Sequence, residues 1–264
     1  AGSVPIQVIG DSAYASMVPS ACSSTGTSEN TVSTFGANGV IGLGPFAQDC
    51  GTTCTTSSSA GLYYVCGSSC QPGTIALAQQ VTNPVTLFAT DNNGSLLSFP
   101  AVPASGTTDL AGTLTFGIGT QSNNTLGSAT VYTTNAYGYI TTTYKGRTLS
   151  NSFLDSGSNG YFFTDSSITQ CSSGSGFYCP TSPLSLTAIN TGQNGSSGTV
   201  SFVVGNADTL FNTDSSSTAY SELAGTTADS QSFDWGLPFF FGRTVYTAIE
   251  GYTTSGGAGP YFAY

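Results

Sequence analysis

The sequence predicts an all-β protein with few short helices, built as two packed sheets or as a barrel. Short apolar or alternating segments recur along the chain and are separated by Gly, Asn and Asp turns, which is typical of strands. Helix-type spacing of apolar residues is rare by comparison. The 264 residues, with 38% hydrophobic content, suffice for a large core in one domain or two lobes.

The predicted strands extend from the N-terminal residues to the end of the chain. They cover residues 4–9, 96–99, 113–118, 129–133, 139–144, 200–204 and 245–249. Two helices are predicted as well. One covers 75–81 and ends before Pro84, and a shorter one covers 165–171, capped by Thr164 or Asp165.

Four of the seven cysteines predict a surface hairpin over residues 50–70. Cys50 and Cys54 face Cys66 and Cys70 across a Thr/Ser/Gly/Tyr segment, and this spacing allows two nested or two sequential disulfides. A zinc site is the less favoured alternative because the CxxxC spacing is loose and the surrounding composition is that of an exported protein.

The other three cysteines predict one more disulfide and one remaining thiol. Cys171 and Cys179 bracket a short Ser/Gly loop and are expected to form a third disulfide. Cys22 is left over. In an oxidising compartment, an odd cysteine indicates either a buried thiol or a disulfide to another chain.

Composition excludes several classes of function. The chain has 13 acidic and 3 basic side chains, a net charge of −10 and no His. Sites that use Ser-His or Cys-His nucleophiles, or His-ligated zinc, are therefore excluded, and we expect no cofactor or metal. We expect no nucleic-acid partner, since clustered cations are missing. No apolar run reaches membrane-span length and no leader opens the chain, so we expect a mature protein that is secreted or at the cell surface.

The segment 153–163 carries the strongest functional signal. It places one carboxylate, Asp155, in a Ser-Gly turn between two apolar runs. A strand that delivers an aspartate to a turn of backbone N–H groups and hydroxyls is typical of one half of an aspartic peptidase site. Asp-Ser-Gly is also an ordinary turn sequence, so the neighbouring segments must decide between the two interpretations.

An internal similarity favours paired lobes. Residues 40–46 read Val-Ile-Gly-Leu-Gly-Pro-Phe, and residues 235–240 read Trp-Gly-Leu-Pro-Phe-Phe. Both place apolar residues and Gly-Leu before Pro-Phe, as repeated halves of one fold would.

The order of segments resembles that of the pepsin-like aspartic peptidases. Residues 39–44 (Gly-Val-Ile-Gly-Leu-Gly) resemble the segment that crosses under the active site of the first lobe, and Leu154-Asp155-Ser156-Gly157-Ser158 resembles the catalytic motif of the second lobe. Segments 112–117, 137–141 and 236–250 resemble further strands in the same order. The match covers most of the chain, which in particular resembles an uncharacterised bacterial exported family related to these peptidases.

The resemblance implies a bilobal acid-protease β fold whose N-terminal lobe is truncated. Residues 1–110 would form the partial first lobe, with the Cys-rich hairpin, and residues 111–264 the second lobe with Asp155. The first catalytic Asp-Thr-Gly loop of the family has no counterpart, because Asp11-Ser12-Ala13 lacks the glycine.

The resemblance also implies roles for individual residues. Asp155 would be the acid/base carboxylate, oriented by Ser156 and Ser158, and Gly157 would allow close approach to its partner. Gly42 and Gly236 would lie on strands beneath the two catalytic loops. One departure from the family pattern is Asp234-Trp235, which stands where two aliphatic residues usually precede the glycine.

Three arrangements would complete or replace the site. An N-terminal fragment of the same precursor supplies the second carboxylate; or two copies pair their Asp155 loops; or the chain is a non-catalytic relative. The leftover Cys22 favours the first, with a peptide as substrate. The alternative from another class is an inactive surface or filament subunit that assembles through exposed strand edges.

Overall fold

The computed structural model describes residues 4–24, 26–59 and 61–264, and the chain is mostly β. It divides into two compact units, Ala1–Ala89 and Thr90–Tyr264. This division falls upstream of the lobe boundary expected at residue 110, because the strand Gly94–Ser98 pairs within the second unit. Within the described ranges, the helices are all too short or too polar to cross a membrane.

The elements in the described residues of the first unit are all short. They are α1 (Ser20–Ser23), α2 (Val32–Phe35), α3 (Thr53–Thr56), β1 (Tyr64–Cys66), β2 (Cys70–Pro72) and two 3-10 helices, Leu77–Gln79 and Pro84–Leu87. The strand predicted at 4–9 does not form, and its apolar side chains are largely exposed. Among the described residues, no strand pairs with this segment. The helix predicted at 75–81 is wrong except for the single 3-10 turn, since Ala76 and Gln80 on either side are extended.

The disulfides of the first unit are sequential rather than nested. They join Cys50 to Cys54 and Cys66 to Cys70, and the second one links β1 to β2 where the two strands pair. Cys22 belongs to no disulfide, and its thiol donates to the hydroxyl of Tyr64 at 3.7 Å.

The second unit contains the remaining strands and the longest helix. Its elements are β3 (Gly94–Ser98), β4 (Thr113–Phe116), β5 (Val131–Thr133), β6 (Ile140–Tyr144), β7 (Arg147–Leu154), β8 (Tyr161–Phe163), β9 (Leu184–Thr191), β10 (Ser197–Val204), α4 (Ala207–Thr213), β11 (Ala224–Gly225), β12 (Phe233–Trp235), a 3-10 helix Leu237–Phe240, β13 (Thr244–Ala248), β14 (Thr253–Thr254), β15 (Gly257–Ala258) and β16 (Tyr261–Ala263). Six of the seven strands predicted from sequence therefore correspond to strands of the structure. The predicted disulfide Cys171–Cys179 is confirmed.

Two larger sheets build the second unit. One has seven strands in the order β10-β9-β6-β7-β12-β8-β11, and the other has five in the order β4-β3-β13-β16-β5. The tight turn from β6 to β7 needs left-handed backbone at Lys145 (φ 48°) and Gly146 (φ 75°). The largest buried cluster is aromatic, and at its centre the rings of Phe233 and Trp235 stack 4.0 Å apart.

Two local predictions differ from the structure of the second unit. Residues 165–171 form one turn and an isolated β-bridge at Gln170 instead of a helix. The Asp165 carboxylate favours the turn, because it accepts hydrogen bonds from the Ser167 amide and hydroxyl and pairs with Lys145 at 2.8 Å. Helix α4 was not predicted, although Asn206 caps it by accepting a hydrogen bond from the Thr209 amide, which is an ordinary start signal.

Candidate functional site

The candidate site lies where β7 and β8 are separated by a third strand. These two strands are consecutive in the chain, yet β12 lies between them, parallel to β7 and antiparallel to β8. The loop of residues 155–160 must therefore pass over the end of β12. Aromatic and aliphatic residues on both sides of the loop favour the strands. At the end of the loop, a Cβ on Gly160 would come within 3.0 Å of the Leu223 carbonyl oxygen, so the absence of a side chain allows this close approach.

Asp155 stands at the point where β7 enters this loop. Its backbone N–H donates to the Trp235 carbonyl at 3.1 Å, which extends the pairing with β12 by one residue. Its Oδ1 accepts from the Gly157 amide at 2.8 Å, and its Oδ2 accepts from the Ser158 hydroxyl at 2.9 Å. Both donors belong to the same loop as Asp155. The Asp155 residue is half-buried and therefore keeps some exposure to solvent.

Gly236 supports the loop from below. The Leu237 amide donates to the Ser158 carbonyl at 2.7 Å, and this bond joins the loop to the segment that follows β12. A Cβ at Gly236 would overlap the Gly160 carbonyl oxygen and come within 2.8 Å of the Ser158 carbonyl oxygen. The loop can lie this close only because position 236 has no side chain.

Asp234 is a second carboxyl at the same place. It is the middle residue of β12, paired with Phe153 of β7 and Phe162 of β8, and it is only 8% exposed. Its Oδ1 finds no hydrogen-bond partner within the described residues. Burial raises the pKa of Asp234 to about 7, opposed by a hydrogen bond from Ser158 and helped by the negative charge of Asp155.

A buried polar chain fixes the other face of β12. The Trp235 indole N–H donates to the Thr142 hydroxyl at 3.0 Å, and that hydroxyl donates to Asn190 Oδ1 at 2.7 Å. The Asn190 amide in turn donates to the Tyr264 hydroxyl at 3.1 Å. Because Phe233 and Trp235 are anchored on this face, Asp234 points to the opposite face of the sheet.

The predicted site residues are only partly brought together. Asp155, Gly157, Ser158 and Gly236 lie in one cluster. Ser156 is exposed and makes no hydrogen bond to another described residue, so its predicted orienting contact is not present. Gly42 lies in the first unit, in an exposed segment without regular secondary structure.

Asp234 is the residue that sequence reasoning did not place in the site. Its only sequence signal was the replacement of an aliphatic residue before Trp235-Gly236. That signal becomes informative once the register of β12 between β7 and β8 is known.

Among the described residues, one group of three potential metal ligands occurs, and it lies away from the loop. It consists of Cys171, Cys179 and Asp208. The two cysteines form a disulfide with each other, so neither offers a thiolate to a metal ion.

Comparison with other proteins places the chain in a family. Neither the curated proteins nor the solved structures include a match to it. A family model matches residues 1–264, and its description is "Protein of unknown function (DUF3443)". The chain therefore belongs to the DUF3443 family.

Proposed function

We propose that this protein is an exported acid–base hydrolase of the aspartic peptidase type, in which Asp155 is one carboxylate of a catalytic pair. The observation that carries the proposal is the Asp155 loop. The half-exposed Asp155 carboxylate accepts a hydrogen bond from the Gly157 N–H on one oxygen and from the Ser158 hydroxyl on the other. The loop connects β7 to β8 and passes the end of β12, which lies between these two strands. Such an arrangement orients a carboxylate to act on a water molecule.

The chemistry requires a second carboxylate facing the first. Two carboxyl groups that share one proton take different roles. The ionised group acts as general base and removes a proton from the attacking water, and the protonated group acts as general acid toward the peptide carbonyl. We propose that this partner comes from an N-terminal fragment of the same precursor or from a second copy of the chain. The peptide substrate would lie between the two loops.

The proposed export is supported by the cysteines. Three disulfides in a chain of this size are typical of an oxidising compartment outside the cytosol. The small number of charged side chains also suits acidic surroundings, because few ion pairs are lost when carboxylates become protonated.

A peptidase assay tests the proposal. The full chain, isolated under non-reducing conditions so that any attached fragment stays bound, is incubated with a mixed peptide library at acid pH, with and without pepstatin. We expect cleavage that falls by about a hundredfold or more in Asp155→Asn and stays unchanged in Asp208→Asn, an exposed carboxylate of α4. Equal product from Asp155→Asn and the unsubstituted chain would refute the catalytic role.

The alternative function is assembly through a sheet edge. Strand β10, Ser197–Val204, pairs with β9 on one side and has no strand on its other side within the described part of the chain. Its eight residues contain no charged side chain to discourage pairing with another strand. Sedimentation at increasing protein concentration tests this alternative, with Ser201→Lys on β10 as the variant expected to prevent assembly. A chain that stays monomeric at every concentration would exclude it.

A further inference from the structure

The first unit contains a groove that encloses about 1100 Å³. Two segments without regular secondary structure form its walls, residues 4–9 as the first wall and residues 39–42 as the second wall, and α2 adds Val32 and Phe35. Six aliphatic side chains that line the groove are at least half exposed: Ile6, Val8, Ile9, Val32, Val40 and Ile41. A cluster of exposed apolar side chains of this kind marks a surface that another molecule covers.

Both walls are held by contacts at their ends. A Cβ on Gly10 would overlap the Asn30 carbonyl oxygen, so the end of the first wall packs directly against the segment that precedes α2. The Asn83 side-chain amide donates to the Gly44 carbonyl at 3.0 Å and fixes the chain just after the second wall. The groove is therefore a formed surface that can receive a partner without first being ordered.

The backbone of the two walls lacks the partners that a strand has. Residues 4–7 and 39–42 make no backbone hydrogen bond to another described residue. In the first wall, aliphatic residues alternate with Pro5 and Gln7, which is the pattern of a strand with one apolar face. An extended polypeptide supplies N–H and C=O groups together with apolar side chains, whereas an aliphatic small molecule supplies only apolar contact.

The charge of the first unit limits which polypeptide fits the groove. The three basic side chains of the whole protein all belong to the second unit, Thr90–Tyr264. Two acidic residues, Glu29 and Asp49, line the groove. A segment with basic residues is therefore favoured, and a second copy of this chain, with a net charge of −10, is disfavoured by repulsion.

We propose that the groove of the first unit binds an extended apolar segment of another polypeptide, with basic flanking residues, by strand addition. The backbone of the segment pairs with the walls, its apolar side chains cover the aliphatic cluster, and its basic residues lie near Glu29 and Asp49. The inference does not rest on the proposed function, because the groove lies within residues 4–84 and includes no residue of the Asp155 loop.

Peptide binding to the full chain tests the inference. The probe is a fluorescein-labelled peptide, Lys-Val-Thr-Val-Thr-Val-Lys, and binding is followed by fluorescence anisotropy. We expect saturable binding that weakens about tenfold or more when alternate amides of the probe are N-methylated, because the main-chain donors are then lost. Replacing both lysines of the probe by glutamates should weaken binding by about fivefold at low salt, and by less at high salt.

Variants of the protein locate the peptide in the groove. Ile41→Gln removes apolar contact at a 77% exposed side chain, so the Kd should rise about tenfold while the fold is kept. Leu62→Gln is the control, since Leu62 is 59% exposed in the same unit but lies outside the groove, and its Kd should be unchanged. Glu29→Gln should weaken binding of the lysine probe and leave that of the glutamate probe no weaker.

The contrary outcomes are distinct from one another. Absence of saturable binding of the lysine probe, or equal Kd values for Ile41→Gln and Leu62→Gln, overturns the inference. Equal binding of the N-methylated probe also overturns it and indicates an aliphatic ligand. A concentration-dependent dimer that Ile41→Gln abolishes in sedimentation would assign the groove to a second copy instead. None of these results depends on peptide cleavage, so failure of the catalytic proposal leaves the inference in place.

Discussion

Gly236 packs against Gly160 so closely that the carbonyl oxygen of Gly160 occupies the place of a Cβ on residue 236. The backbone angles of Gly236, φ −67° and ψ −168°, are accessible to any residue, so the requirement for glycine is one of space alone. This contact sets the height of the Asp155 loop above β12.

Gly236→Ala should therefore destabilise the protein by about 3 kcal/mol or more, because the loop or the strand has to move. Chemical denaturation followed by tryptophan fluorescence measures it, since Trp235 is the single tryptophan and is fully buried next to the substitution. Gly42→Ala is the control: a Cβ there meets no atom within 4 Å, so its effect should be within about 0.5 kcal/mol. Equal effects of the two variants would contradict the packing.

The buried carboxyl of Asp234 should make stability fall as the pH rises. The unfolded pKa is about 3.9 and the folded pKa is about 7, so between these values the folded state binds one proton more than the unfolded state. Stability from this group is greatest below about pH 4, decreases through pH 7 and is level above it, at about 1.4 kcal/mol per unit of pKa difference. Urea denaturation at several pH values should show this slope, and Asp234→Asn should remove it. An identical pH dependence for the two proteins would be the contrary result.

The polar chain behind Trp235 should be sensitive to loss of one hydroxyl. Thr142→Val preserves side-chain shape but leaves the Trp235 N–H and Asn190 Oδ1 without their partner, at a cost of about 2–4 kcal/mol for the two buried groups. Thr143→Val on the same strand is half-buried and should change the unfolding free energy by about 0.5 kcal/mol or less. Thermal and urea denaturation of both variants measure the difference, and similar values would argue against the chain.

The disulfide Cys171–Cys179 should contribute to the stability of the second unit. The two cysteines are eight positions apart, so the double variant Cys171→Ala/Cys179→Ala should lose about 2–3 kcal/mol through the greater freedom of the unfolded chain. Ser173→Ala/Ser175→Ala in the enclosed loop keeps the disulfide and is the control, with an expected change of about 0.5 kcal/mol or less. If the two double variants unfold at the same urea concentration, the disulfide has no such role.

Local patterns were sufficient for most of the second unit. The strands predicted at 139–144 and 200–204 and the close pair Cys171 and Cys179 could be read from the chain because alternation and short spacing are local properties. Residues 4–9 show the limit of this reasoning, since they alternate in the same way but pair with no strand in the described part of the chain. A strand needs a partner, and the identity of the partner is not encoded in the segment itself.

The sequence by itself determined the β class, the close pairing of Cys171 with Cys179 and the position of Asp155 between two strands, because each of these depends on composition or on neighbours in the chain. The tertiary structure alone decided that β12 inserts between β7 and β8, that Gly236 underlies the loop, and that Asp234 is buried beside Asp155. The physical reason is register: whether a carboxyl in β12 points to solvent, into the aromatic core or toward the loop depends on which residues of distant strands it faces.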